Sequence, residues 1–210
     1  LREPYTADFG HTKTGDIRKI SQELFKEIED KSIHNVLNIC KELLDTRNWK
    51  LSVIAFDFAY RIRKQYTDNM FDVFESWLYT CVRNWGDCDD FCTHAFGYLL
   101  QERPYLYEKI IPWTKSNDFW VRRASAVILI LSIKNEVIET SKVFKISDLL
   151  MNDDHDLVRK GYGWMLKVLS TKNQQIVFDY LMKHKTDMPR VSFRYALEKM
   201  DKELKKVLMS

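Results

Sequence analysis

The chain has 210 residues, with 33 Lys and Arg against 30 Asp and Glu, and a formal net charge of +3. Hydrophobic residues make up 45% of it, whereas Gly and Pro number only 6 and 4, so it can bury a core and does not suit a turn-rich β fold. No apolar run reaches the roughly 18–20 residues of a membrane span, and no secretory signal is visible. Because the sequence starts at Leu1 rather than Met, we expect an N-terminal piece to be missing.

Two sets of helices alternate along the chain. Helical apolar spacing predicts the first set at Ile33–Leu44, Phe71–Val82, Tyr105–Trp113 and Gln174–Met182. Five further segments begin with a polar turn and a bulky residue and carry a small or apolar residue six places on. Those residues are Ala55, Phe91, Ala126, Gly163 and Ala196, at separations of 36, 35, 37 and 33.

Two antiparallel helices per 33–37 residues is the geometry of HEAT-like solenoids. In such a stack the second helices line a concave surface. A plain helical bundle is the alternative, but the fivefold register favours the repeat. The sequence therefore predicts an all-α, HEAT-like helical repeat solenoid with a concave basic face, formed by one domain over residues 1–210.

The four cysteines, at positions 40, 81, 88 and 92, are too sparse for a disulfide scaffold. Cys88, Cys92 and His94 could be metal ligands, but no second CxxC-type pair accompanies them. Cys88 and Cys92 also lie one helical turn apart. Reduced, partly buried thiols are the favoured interpretation, and a cytoplasmic location is expected from it.

Positive charge is concentrated in the C-terminal half. Residues 1–105 carry 14 Lys and Arg against 17 Asp and Glu, a net −3, whereas residues 106–210 carry 19 against 13, a net +6. This asymmetry is typical of a surface that binds a polyanion, although solvated helix faces explain it equally well.

Unusual side chains recur at related positions of the second helices. Trp85 and Asp89 are four residues apart and so share a helix face. Later repeats place cations and a further tryptophan in similar register: Arg123, Lys160, Trp164, Arg190 and Arg194. Cations at one-repeat intervals suit successive phosphates of a nucleic acid backbone. A carboxylate beside an aromatic ring suits stabilisation of the sugar cation that forms when a glycosidic bond breaks.

Each of these residues also has an ordinary structural interpretation. Tryptophans at helical spacing usually belong to a core. Asp89 could be a first-turn acid that interacts with the helix dipole, and the cations could cover solvated helix faces. Only the common register of these residues favours a functional interpretation.

At these positions the sequence resembles the AlkD-like family of DNA alkylation repair enzymes. NWGDCDDFC (84–92) is similar to the family's NW-x-x-CD-x-FC motif, and FWVRRASAV (119–127) to its W-x-RR-x-A motif. GYGWMLK (161–167) is similar to the G-x-GW segment, and PRVSFRYALEKM (189–200) to the R-x-x-x-R-Y-A-x-E terminal helix. The order and spacing match over roughly residues 30–200. Gly86 departs from the pattern, since some members carry an acid there.

The resemblance implies a HEAT-like solenoid and a monofunctional DNA glycosylase that removes cationic 3-methyladenine and 7-methylguanine from duplex DNA. It also implies contact through the sugar and backbone, without a metal or organic cofactor and without an obligate protein partner or a membrane. The implied catalytic residues are Asp89, Trp85 and Trp164, and the implied phosphate contacts are Arg123, Lys160, Arg190 and Arg194.

Two other functions are alternatives to a glycosylase. Some relatives bind DNA without known glycosylase activity, and a non-catalytic DNA-binding module would keep the cations without needing Asp89. A protein-interaction scaffold, the common use of HEAT repeats, would instead favour an apolar groove.

Overall fold

A computed structural model describes residues 13–210, which form fourteen α-helices and no strand. The N-terminal part contains α1 Thr14–Glu27, α2 Ile33–Asp45, α3 Trp49–Arg61, α4 Met70–Thr80, α5 Trp85–Thr93, α6 Ala95–Glu102 and α7 Tyr107–Ile110. The C-terminal part contains α8 Phe119–Val127, α9 Ile130–Lys134, α10 Thr140–Leu150, α11 Asp156–Ser170, α12 Gln174–Lys183, α13 Arg190–Leu197 and α14 Lys202–Met209. None of these helices is long and apolar enough to cross a membrane.

The second helices of the predicted repeats stack against one another in chain order. Helix α3 contacts α5, α5 contacts α8, α8 contacts α11, and α11 contacts α13. The first helices α2, α10 and α12 pack against the second helices that follow them, and α4 packs against α6 and α8. The predicted all-α repeat fold is therefore confirmed. The residues of the predicted register, Ala55, Phe91, Ala126, Gly163 and Ala196, are all buried in this stack.

Polar caps fix where the second helices begin. The side chains of Asn48, Asn84 and Asp118 accept hydrogen bonds from backbone N–H groups in the first turns of α3, α5 and α8. Helix α11 is capped by the ring of His155, whose Nδ1 accepts a hydrogen bond from the backbone N–H of Leu157. Because each cap sets the helix register, it also sets the face on which the following side chains lie.

The structure differs from the predicted elements at three places. The helix predicted over 105–113 is broken into 3₁₀ turns at 104–106 and 111–115 around the short α7, because Pro112 lacks the amide donor that a continuous helix needs there. The segment after Trp85 divides into α5 and α6 at His94, whose φ and ψ are −124° and −93°. Helix α1 was not predicted, and it buries only Ile17 and Ser21. The single-domain prediction includes residues 1–12, which lie outside the described residues.

Gly163 lies where α11 and α13 approach closely, and Gly163→Ala is expected to destabilise the fold by about 1–3 kcal/mol. A Cβ there would lie 2.8 Å from the Cβ of Tyr195 and 2.9 Å from the carbonyl oxygen of Ser192, both on α13. Urea unfolding measures the effect. Gly15→Ala is the matched control, because a Cβ there meets nothing within 4 Å. Equal stability of the two variants would show that α11 and α13 separate without cost.

Candidate active site

Four second helices, α5, α8, α11 and α13, together form a cleft with a volume of about 370 Å³. It is lined by Trp85, Asp89, Arg123, Leu157, Lys160, Trp164, Lys167 and Tyr195. We call this feature the cleft. It brings together one carboxylate, three cations and three aromatic rings from repeats that are far apart in the sequence.

Helix α5 supplies the first wall of the cleft. The side chain of Asn84 accepts a hydrogen bond from the backbone N–H of Asp87 at 2.9 Å and so fixes the start of the helix at Trp85. Trp85 is 62% exposed, which is unusual for a tryptophan. Asp89 lies one turn further along the same face, with its side chain 18% exposed. The indole ring and the carboxylate therefore both face the cleft, the first as an open surface and the second as a recessed charge.

Asp89 is held in place by Arg123 of α8. The Nε of Arg123 donates to Oδ1 of Asp89 at 2.9 Å, and Nη2 donates to Oδ2 at 2.9 Å, a bidentate geometry that orients the carboxylate. Nη1 donates to the backbone oxygen of Leu157 at the start of α11. A Cβ at position 161 would lie 3.1 Å from Cγ of Arg123, so Gly161 leaves the room that the arginine occupies.

Burial and the ion pair act on Asp89 in opposite directions. Burial raises the pKa of Asp89 above its ordinary value, and the positive charge and hydrogen bonds of Arg123 oppose that rise. Each carboxylate oxygen accepts from the guanidinium and keeps a further lone pair. The arrangement can therefore present a fixed negative charge to a cationic group in the cleft.

Helices α11 and α13 form the opposite wall. Trp164 is half-buried on α11, and Lys160, four residues earlier, pairs with Asp156 at 2.6 Å. The hydrogen bond and charge of Asp156 raise the pKa of Lys160. Lys167, also on α11, has its Nζ 5.4 Å from the ring centre of Tyr195 on α13. This wall combines aromatic surface with two ammonium groups.

The cleft brings together five of the seven residues singled out from the sequence. Trp85, Asp89 and Trp164 line it as expected for the predicted catalytic group, and Lys160 lines it as well. The fifth residue, Arg123, was predicted to contact a DNA phosphate, and the structure gives it a different position. It is only 5% exposed and its guanidinium is occupied by Asp89 and Leu157, so it is a positioning residue for Asp89 rather than a free phosphate contact.

Arg190 and Arg194 lie outside the cleft lining, exposed on one face of α13. Neither forms an ion pair with any of residues 13–210. They remain predicted DNA contacts. Three lining residues were not predicted from the sequence: Leu157, Lys167 and Tyr195. Lys167 follows Trp164 by three places on one helix, and that i, i+3 spacing was the signal available for it.

The cysteines show no sign of a metal centre. Within residues 13–210, no group of three or more His, Cys, Asp and Glu side chains is arranged to hold a metal ion. Cys88 and Cys92 are buried free thiols, and burial raises the pKa of Cys92 well above its ordinary value. They belong to the core beneath α5.

Asp87, in the first turn of α5, is a buried carboxyl group that is expected to make the stability of the fold depend on pH. It is 4% exposed, and burial raises its pKa to about 7. The folded protein therefore keeps a proton that the unfolded chain loses near its ordinary pKa of 3.8. The contribution of Asp87 to the free energy of unfolding is therefore greatest at low pH. It decreases as the pH rises from about 4 to about 7.

Asp87→Asn is expected to remove this loss, because the amide has a similar shape and no charge. Its stability relative to wild type should improve by roughly 2 kcal/mol between pH 5 and pH 8. Urea unfolding of both proteins at the two pH values measures the difference. The contributions of all other titrating groups are common to both proteins and cancel in the comparison. A stability difference that does not change with pH would contradict the assignment.

Comparisons with known proteins identify the family of the chain and a solved structure with the same fold. The sequence matches the family model for the DNA alkylation repair enzyme over residues 7–200. A solved structure from Enterococcus faecalis, described as a predicted DNA alkylation repair enzyme, superposes with a TM-score of 0.77 at 16% identity and shows the same fold. The alignment covers 90% of this chain and 87% of that one. No curated protein matches the sequence significantly. The family match spans nearly the whole chain, and the chain therefore belongs to the DNA alkylation repair enzyme family.

Proposed function

We propose that the protein is a monofunctional DNA glycosylase that releases cationic alkylated purines, such as 3-methyladenine and 7-methylguanine, from duplex DNA. One observation carries the proposal: the carboxylate of Asp89 lines a cleft together with two tryptophans and is fixed there by the bidentate contact with Arg123. The family match supports a DNA repair enzyme, and the charge and aromatic rings of the cleft support this type of reaction.

The reaction requires little acid catalysis at the departing base. An N3- or N7-alkylated purine carries a positive charge, and when the bond from C1′ to the base breaks, the electron pair of that bond neutralises it. The deoxyribose is left as an oxocarbenium ion, with its charge shared by C1′ and O4′. A water molecule then adds its oxygen to C1′ and releases a proton. The products are the free neutral base and an abasic site.

The side chains of the cleft match the charge that develops on the sugar. Asp89 supplies a negative charge whose position is fixed before the reaction, so that little reorganisation is needed. The same carboxylate accepts a hydrogen bond from the attacking water and orients it towards C1′. The rings of Trp85 and Trp164 lie on the cleft and attract a cationic sugar more strongly than a neutral one. All three contacts strengthen as the bond breaks, which is the condition for catalysis.

DNA is held by the cations of the C-terminal repeats. Lys160 lines the cleft, while Arg190 and Arg194 are exposed on α13, four residues apart and on one face. Contacts of this kind bind phosphates without regard to base sequence. Removal of either arginine is therefore expected to weaken binding to all duplexes alike. It should also reduce the slope of log affinity against log salt concentration by about one.

The test is incubation of the wild-type protein with a duplex that contains one 7-methylguanine or one 3-methyladenine. We expect free base and an equal amount of abasic site, with the strand intact until alkali is added. Strand breakage without alkali would contradict a monofunctional glycosylase. Duplex binding without base release would replace the proposal with a non-catalytic DNA-binding protein of the same family.

A further inference from the structure

The two lysines that line the cleft are both paired with carboxylates of the protein itself. Lys160 contacts Asp156 on its own helix at 2.6 Å. Lys167 contacts Glu198, which follows directly after α13, at 3.0 Å. Arg190 and Arg194, which lie outside the cleft, show no such pairing within residues 13–210. The cleft lysines therefore carry internal counterions, whereas Arg190 and Arg194 have none among the described residues.

Lys167 occupies a defined position in the wall. Its side chain is only 18% exposed, whereas that of Glu198 is 51% exposed. The ammonium lies 5.4 Å from the ring centre of Tyr195, which rests against α11 where Gly163 leaves no Cβ. The lysine is thus held between a ring and a carboxylate, and the more exposed Glu198 is the partner that can move away.

We propose that Lys167 is the centre of a phosphate-binding site on the cleft wall, and that Glu198 occupies this site in the DNA-free protein until a phosphodiester displaces it. The ligand class is a phosphate of duplex DNA next to the nucleotide held between the two tryptophans, so the inference rests on the proposed function. Lys160 faces the same cleft and adds a second positive charge. Tyr195 lines the same cleft, and a tyrosine hydroxyl is a neutral hydrogen-bond donor.

This arrangement has a measurable consequence for binding. A phosphate that approaches Lys167 also approaches Glu198, so part of the attraction is cancelled and fewer counterions leave the DNA than the number of contacts suggests. Glu198→Gln keeps the shape and removes the negative charge. It is expected to tighten binding by about fivefold at low salt and to steepen the salt dependence by up to about one unit.

The measurement is fluorescence anisotropy with a duplex that carries a tetrahydrofuran site, which has no glycosidic bond to cleave, over a series of salt concentrations. Glu136→Gln is the matched control. Glu136 pairs with Lys172 at 2.9 Å across neighbouring repeats, and neither residue lines the cleft. We expect the control to bind like wild type, apart from the small effect of one distant charge.

Two further variants separate the proposed site from simple charge repulsion. Lys167→Gln should weaken binding, and in this background Glu198→Gln should tighten binding much less than in wild type. In a scan of duplexes with single neutral methylphosphonates around the site, one position should abolish the gain from Glu198→Gln. Equal gains for Glu198→Gln and Glu136→Gln, an undiminished gain without Lys167, or the absence of a sensitive position would overturn the proposal.

These binding measurements do not depend on base release. If the wild type binds and responds as predicted but releases no base, the glycosylase proposal fails and the phosphate site stands. If the wild type releases base while Glu198→Gln behaves like Glu136→Gln, the phosphate site fails alone. No measurable binding of duplex DNA by the wild type would overturn both.

Discussion

Asp89→Asn is expected to slow the release of 7-methylguanine by about 10²–10³-fold, because the amide keeps the shape of the side chain and removes the charge that faces the sugar cation. Affinity for duplex DNA should change little or increase, since one negative charge near the phosphates is lost. Single-turnover release, with enzyme in excess over DNA, measures the chemical step without product release.

The variant also loses its bidentate contact with Arg123, so its fold must be checked. Urea unfolding of the variant, together with its affinity for the duplex, shows whether the site is still formed. An undiminished rate in a folded variant that binds DNA would show that Asp89 is not the catalytic carboxylate.

Arg123→Met is expected to lower both stability and rate. Removal of one partner from a largely buried ion pair leaves an uncompensated charge, and the expected loss of stability is about 3 kcal/mol. The pKa of Asp89, already raised by burial, should rise further without the opposing charge of Arg123. Since the reaction needs the carboxylate, the rate is full above this pKa and falls as pH decreases through it. The acid limb of the pH–rate profile should therefore move to higher pH.

The double variant Asp89→Asn/Arg123→Met provides the control for this interpretation. Neither of the two altered positions then has a charge that lacks its partner, so the loss of stability should be smaller than the sum of the two single losses. An acid limb at the same pH in wild type and Arg123→Met would show that the arginine does not set the protonation of Asp89. Additive losses of stability would show that the two side chains are not coupled.

The repeat and part of the cleft could be predicted from sequence because they depend on local spacing. The register from Ala55 to Ala196 places one small or apolar residue at each contact between second helices, and Trp85 and Asp89 share a face through i, i+4 spacing. The partner of Asp89 could not be predicted in this way. Arg123 lies 34 residues away, and only the stacking of α5 on α8 decides that its guanidinium turns inwards to the carboxylate rather than outwards to DNA.

The other differences have equally specific causes. Tyr195 reaches the cleft because α13 approaches α11 closely at Gly163, a distance that no local pattern specifies. The helix predicted over 105–113 has the right apolar spacing, yet Pro112 interrupts it and the segment forms short turns. Apolar periodicity predicts which face of a helix is buried, but it does not predict which side chains of the neighbouring repeat contact that helix.

The cleft is proposed to stabilise a positive charge on deoxyribose through Asp89. The most direct measurement compares affinities for two duplexes, one with a cationic pyrrolidine in place of the deoxyribose and one with the neutral tetrahydrofuran. We expect the wild type to bind the cationic duplex at least about 10²-fold more tightly, as enzymes bind analogues of their transition states. Asp89→Asn should lose most of that preference. Equal affinity of the wild type for the two duplexes, or a preference that survives in Asp89→Asn, would contradict the account.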